Sequence, residues 1–180
     1  MTKCLEKQRG ENPLFFCIIK FLEMVIIIVS KYQNKELTMN DTIKLLRECD
    51  AGIQMGVETI EEVLDNVKSP DLRKFLEEAR EKHWDIGEGL KRELDKYADD
   101  GKSPNAMAKG MSWIKTNMKM AFEPSDQTIA ELVTDGCNMG VKCLNKYLNQ
   151  FTEASEASKE ITKKLIDVEE KLAIDIRRFL

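Results

Sequence analysis

The chain contains one histidine, His83, and it falls on the apolar stripe of a helix, as do Asp50 and Glu169 on two others. An unpaired charge at such a place is costly, so these three residues must meet each other or a ligand. Two chemistries fit. One imidazole and two carboxylates can hold a single iron or zinc ion. The same residues, joined by Arg80, can equally form a buried polar network that fixes helix register. Asp50 and His83 lie about 19 and 14 residues from the link at Ser69, an offset of roughly 8 Å along the helices. That span suits two side chains with a water between them, or direct contact at full reach. Catalysis without metal finds no nucleophile or second base beside them. Met107, Met111, Met118 and Met120 recur at helical spacing and read as core fillers. Lys109, Lys115 and Lys119 with Trp113 read as a solvated helix face.

Helices must position these residues, because from Met39 onward the apolar residues recur every three or four positions and never alternate. A first helix over 40–67 carries Ile43, Leu46, Ile53, Val57, Ile60, Leu64 and Val67, with Asp50 filling the gap in the stripe. Asn40 stands at its start as a cap. Ser69-Pro70 ends it and opens the second helix, 70–98, as N-cap and first-turn proline. That helix carries Leu72, Leu76, Ala79, His83, Ile86, Leu90, Leu94 and Tyr97. Ser103-Pro104 repeats the signal for a short helix over 104–122. A third long helix, 126–151, carries Ile129, Leu132, Gly136, Met139, Cys143, Tyr147 and Phe151. The fourth, 156–180, carries Ile161, Leu165, Val168 or Glu169, Leu172, Ile176 and Phe179. Rods of about 25 residues, roughly 38 Å long, with such stripes pack as a four-helix bundle.

A shift of 84 residues places Gly52, Met55, Gly56, Val57 and Leu64 on Gly136, Met139, Gly140, Val141 and Leu148. Mid-helix glycine costs about 1 kcal/mol against alanine. Two glycine pairs at matching depth therefore need a reason, most simply close helix approach. The predicted architecture is an antiparallel bundle made from a duplicated helical hairpin, with the short helix between its halves.

The hairpins, the segment Met111-Ser112-Trp113-Ile114-Lys115-Thr116-Asn117 and the run Asp135-Gly136-Cys137-Asn138-Met139-Gly140-Val141 resemble a ferritin-like family of small bacterial bundles. That family is known mainly as a domain of unknown function. The resemblance covers 39–180 and implies the fold. Active members of the wider superfamily place a carboxylate on helices one and three, and Glu-x-x-His on helices two and four. Here Asp50 matches the first carboxylate, while Thr134 stands opposite it in the repeat, beside Asp135. Arg80 replaces the Glu that should precede His83, and Leu172 replaces the second His after Glu169. A di-iron site needs two histidines, so this ligand set is incomplete.

Residues 1–38 differ from the rest. Leu14 to Val29 form a run of 16 mostly apolar residues, interrupted by Lys20 and Glu23. A transmembrane helix needs about 20 apolar residues. A signal peptide needs an unbroken apolar stretch. A third reading starts translation at Met39, because Lys35-Glu36 can be encoded by a purine-rich bacterial ribosome-binding sequence. The expected organisation is a non-core leader, 1–38, before a bundle, 39–180. A membrane enters only if 14–29 is a genuine anchor.

Net charge is −4; residues 39–180 hold 22 Lys/Arg against 28 Asp/Glu. That balance offers no electrostatic footing for nucleic acid. Five cysteines, Cys4, Cys17, Cys49, Cys137 and Cys143, include no CxxC and fit reduced thiols of a cytoplasmic protein. The expected role is self-association or partner binding, as a homodimer without cofactor and more plausibly non-enzymatic. The alternative is a metal or small-molecule binding or sensing protein built on Asp50, His83 and Glu169.

Overall fold

A computed structural model describes residues 13–101 and 125–180, and for residues 13–19 and 21 the backbone only. Its elements are helices α1 (Pro13–Leu64), α2 (Pro70–Asp95), α3 (Asp126–Gln150) and α4 (Glu156–Asp175), then a 3-10 turn, Ile176–Phe179. Among the described residues there is no strand. The expected helix over 104–122, with its methionines, lysines and Trp113, lies outside the described residues.

α1 begins 27 residues before the predicted start. No proline stands between Pro13 and Pro70, and residues 30–38 hold no glycine. Nothing in the sequence breaks the helix there, and Asn40 sits in its interior instead of capping it. Met1–Thr38 and Met39–Leu180 form two compact units. In the first, Leu22, Met24, Val25, Ile26, Ile27, Ile28 and Val29 are all exposed. Among the described residues, no helix is long and apolar enough to cross a membrane.

In the second unit, serine caps set the helix starts. The hydroxyls of Ser69, Ser125 and Ser155 accept from the backbone N–H of Leu72, Thr128 and Ser158. Both ends are tied across the chain. Asp126 accepts from the backbone N–H groups of Lys68 and Ser69 at 2.8 and 2.9 Å. The buried Thr42 hydroxyl accepts from Ser155 N–H at 2.8 Å.

The α2 stripe is buried as its spacing predicts, through Leu72, Leu76, Ala79, His83, Leu90 and Leu94. On α1 the gap is filled by Cys49, not Asp50. Cys49 is fully buried against Thr162, 3.1 Å away, and burial pushes its thiol up to about 12. A step of three from Leu46 and four to Ile53 keeps it on the apolar line, whereas Asp50 is turned toward the edge. On α3 the buried line is Ile129, Ala130, Val133, Cys137, Leu144 and Phe151, one position around from the expected stripe.

The core has two parts. Ile60, Val63, Leu72, Leu76, Ile129 and Ile176 belong to one cluster; Leu45, Leu46, Leu90, Leu144 and Leu165 belong to the other. His83 lies on α2 between Ala79 of the first and Leu90 of the second. Glu169 lies on α4 between Leu165 and Leu172 in the same way. The polar pair therefore sits at the seam of two apolar halves.

Candidate functional site

At that seam, α1 and α3 part around a cavity of 270 Å³. Its walls include Gly52 and Gly56 from α1, and Gly136 and Gly140 from α3. The displaced α3 stripe also goes here: Leu132, Gly136, Met139, Cys143 and Tyr147 all line the space. The expected reason for the glycines, helix against helix, is thus replaced by another. A Cβ on Gly136 would meet nothing within 4 Å, so that glycine borders open space. A Cβ on Gly56 would come within 3.0 Å of the His83 ring, and one on Gly140 within 3.5 Å of the Glu169 carboxyl carbon. These two glycines let buried side chains, not helix backbones, come close. The cavity reaches solvent beside Met139 and Cys143, both exposed.

The polar part of the wall is a short chain of hydrogen bonds. His83 Nδ1 lies 2.8 Å from the carbonyl oxygen of Ala79, which can only accept, so Nδ1 carries a hydrogen. Nε2 lies 3.1 Å from Glu169 Oε1, and a proton must lie between them. Burial opposes charging the imidazole, but the Glu169 hydrogen bond and its charge outweigh burial and raise the His83 pKa. With one hydrogen on Nδ1 and one proton between Nε2 and Oε1, the pair is neutral as a unit. Cys137 also lines the wall; burial, then the Glu169 charge, push this thiol far above its ordinary range. It stays protonated and is no nucleophile. Elsewhere on the wall, burial and then the Glu48 carboxylate raise the Tyr147 hydroxyl to about 12.

No family model, curated protein or solved structure matches the chain. What the site can do is set by its own geometry.

The structure brings His83 and Glu169 together and places Asp50 elsewhere. Asp50 accepts from Gln54 Nε2 at 2.7 Å. It lines a separate groove with Trp84, Lys91, Leu94 and Asp99. Gly56, not Asp50, stands level with His83, six residues further along α1, or about 9 Å. The predicted offset was of that order, and no side chain spans it. Arg80 also lies outside the pair: its guanidinium approaches Glu61 at 3.9 Å and rests over the Trp84 ring. Among the described residues, no three His, Cys, Asp or Glu side chains gather as a metal site. Among the described residues, every buried side-chain nitrogen and oxygen has a partner.

Sequence reasoning missed Cys137, Tyr147, Glu48 and the cavity itself. One signal was present. A shift of 86 residues superposes the buried positions Leu76, Ala79, His83 and Leu90 on Thr162, Leu165, Glu169 and Ile176. That shift sets His83 on Glu169.

Proposed function

We propose that the chain is an antiparallel, ferritin-like bundle that binds a small, mainly apolar molecule in the cavity between α1 and α3. The arrangement is supported by register. Lys68 meets Asp126 while Thr42 meets Ser155, so α1 and α3 advance in opposite directions. Gly52 lies by Leu165 and Gly56 by Glu169, so α1 and α4 advance together. Burial repeats with the 84-residue shift at Leu46/Ala130, Cys49/Val133, Ile53/Cys137 and Ile60/Leu144, which supports the duplicated hairpin.

The binding reading rests on one observation: a cavity of 270 Å³ opens beside mid-helix Gly136, where a side chain would meet nothing within 4 Å of its Cβ. A void forfeits dispersion contacts, and interiors keep few voids larger than water. A cavity of 150 Å³ lined by apolar residues holds benzene, so 270 Å³ scales to about ten non-hydrogen atoms. The test is a panel of one- and two-ring aromatic compounds scored by thermal melting. A compound at ten times its Kd should stabilise the fold by about 1.4 kcal/mol. Gly136→Leu should fill the void and remove the effect. Equal stabilisation of both proteins would refute the reading.

A second reading has its own observation. Seven large apolar side chains of α1, between Leu22 and Val29, are exposed together. A contiguous patch of this kind favours association, most simply with a second copy. Light scattering on the full chain, against a variant with Ile26, Ile27 and Ile28 replaced by Ser, tests it; equal masses would dismiss it.

A further inference from the structure

The ligand's chemistry is legible in which lone pairs the wall leaves over. Resting on the small-molecule reading above, we infer that the cavity takes a two-ring, mainly apolar molecule that carries one N–H or O–H donor and no anionic group.

His83 has nothing to offer a ligand, because Nδ1 is spent on Ala79 and Nε2 on Glu169. The Glu169 carboxylate has about four acceptor sites. His83 takes one of them. The Glu169 side chain keeps 10 % exposure and lines the cavity, and Gly140 leaves the approach to it open. The polar atom available at the inner wall is thus an acceptor with capacity to spare. A ligand satisfies it with a donor.

Charge selects further. Among the described residues, the lining includes Glu169 and neither lysine nor arginine. His83 already neutralises Glu169 as a unit, so a cation is not required. An anion would meet the Glu169 carboxylate in an apolar space with no lysine or arginine among the described lining residues. The volume admits about ten non-hydrogen atoms, the size of a fused pair of rings. Gly136 gives such a body a stretch of wall without a side chain.

Indole, indene and indole-2-carboxylate share one shape and differ in the features that matter. Binding is measured by titration calorimetry on the full chain. Indole should bind, and indene about tenfold or more weakly, since a hydrogen bond to a charged acceptor is lost. Indole-2-carboxylate should not bind. Glu169→Gln should narrow the gap between indole and indene; its fold is checked by circular dichroism. Gly136→Leu, which leaves the His83–Glu169 pair untouched, should abolish binding of both. Equal binding of indole and indene, lost in Gly136→Leu, would overturn the donor requirement and leave the pocket reading intact. Binding of indole that survives Gly136→Leu, or no binding at millimolar concentration, would overturn both.

Discussion

The same substitution, glycine to alanine, should change stability in opposite directions at Gly136 and Gly56. Both are mid-helix glycines, and alanine recovers about 1 kcal/mol of helix propensity at each. At Gly136 the new methyl group meets no atom within 4 Å, so the full gain is expected, or about 2–4 °C in melting temperature. At Gly56 it falls 3.0 Å from both Cδ2 and Nε2 of His83. That ring cannot retreat cheaply, because it is pinned at 2.8 Å to Ala79 and at 3.1 Å to Glu169. Losing a hydrogen bond to a charged group costs about 1.5–3 kcal/mol. Set against the gain, the net for Gly56→Ala is a loss of about 0.5–2 kcal/mol. Urea unfolding followed by circular dichroism at 222 nm, with purified chains at equal concentration, measures both. Equal stabilisation by the two substitutions would show that His83 is not held at the Gly56 backbone.

His83→Ala should cost about 3 kcal/mol, because it leaves the Glu169 carboxylate buried without its counter-charge; an unchanged urea midpoint would contradict this. Stability should also fall as pH rises. The folded His83 binds its proton more tightly than the unfolded residue, so its contribution is whole below the ordinary imidazole pKa of about 6.5 and is lost as pH climbs through the raised value. Urea midpoints from pH 6 to 9, compared with His83→Gln, read that slope, which the variant should lack. Asp126→Ala removes two hydrogen bonds to the turn between α1 and α2 and should cost about 1–2 kcal/mol. Among the described thiols, Cys143 should alkylate well before Cys49 and Cys137, resolved by peptide mass spectrometry, because only Cys143 is exposed.

How much of this was legible depended on what the sequence encodes directly. The α2 stripe was plain because Leu72, Leu76, Leu90 and Leu94 are large and evenly spaced. Asp50 was drawn inward by a spacing that Cys49 satisfies equally well, and a small thiol is a weaker signal than a charge in a gap. On α3, small residues at Ala130, Cys137 and Gly140 blurred the direction of the apolar face by one position. The outer line of Leu132, Met139 and Cys143 looked like core because it is apolar, and it is apolar because it lines a cavity. A void has no residue of its own. Its trace in the sequence was the paired glycines, which fit close packing and open space alike until the surrounding atoms are placed.

On the duplicated arrangement proposed above, His83 and Glu169 stand at matching positions of the two hairpins, one a base and the other an acid. Two identical hairpins related by a two-fold axis would set like against like there, imidazole facing imidazole or carboxylate facing carboxylate. On that arrangement, a single chain with differing halves places one of each there. The pair thus acts as a key between the halves: either hairpin is mated correctly by the other and mismated by its own duplicate. An exchange of hairpins that joined two first halves would bury two imidazoles against each other, and one that joined two second halves would bury two carboxylates. Both errors are penalised at the centre of the core, where charge repulsion is least screened.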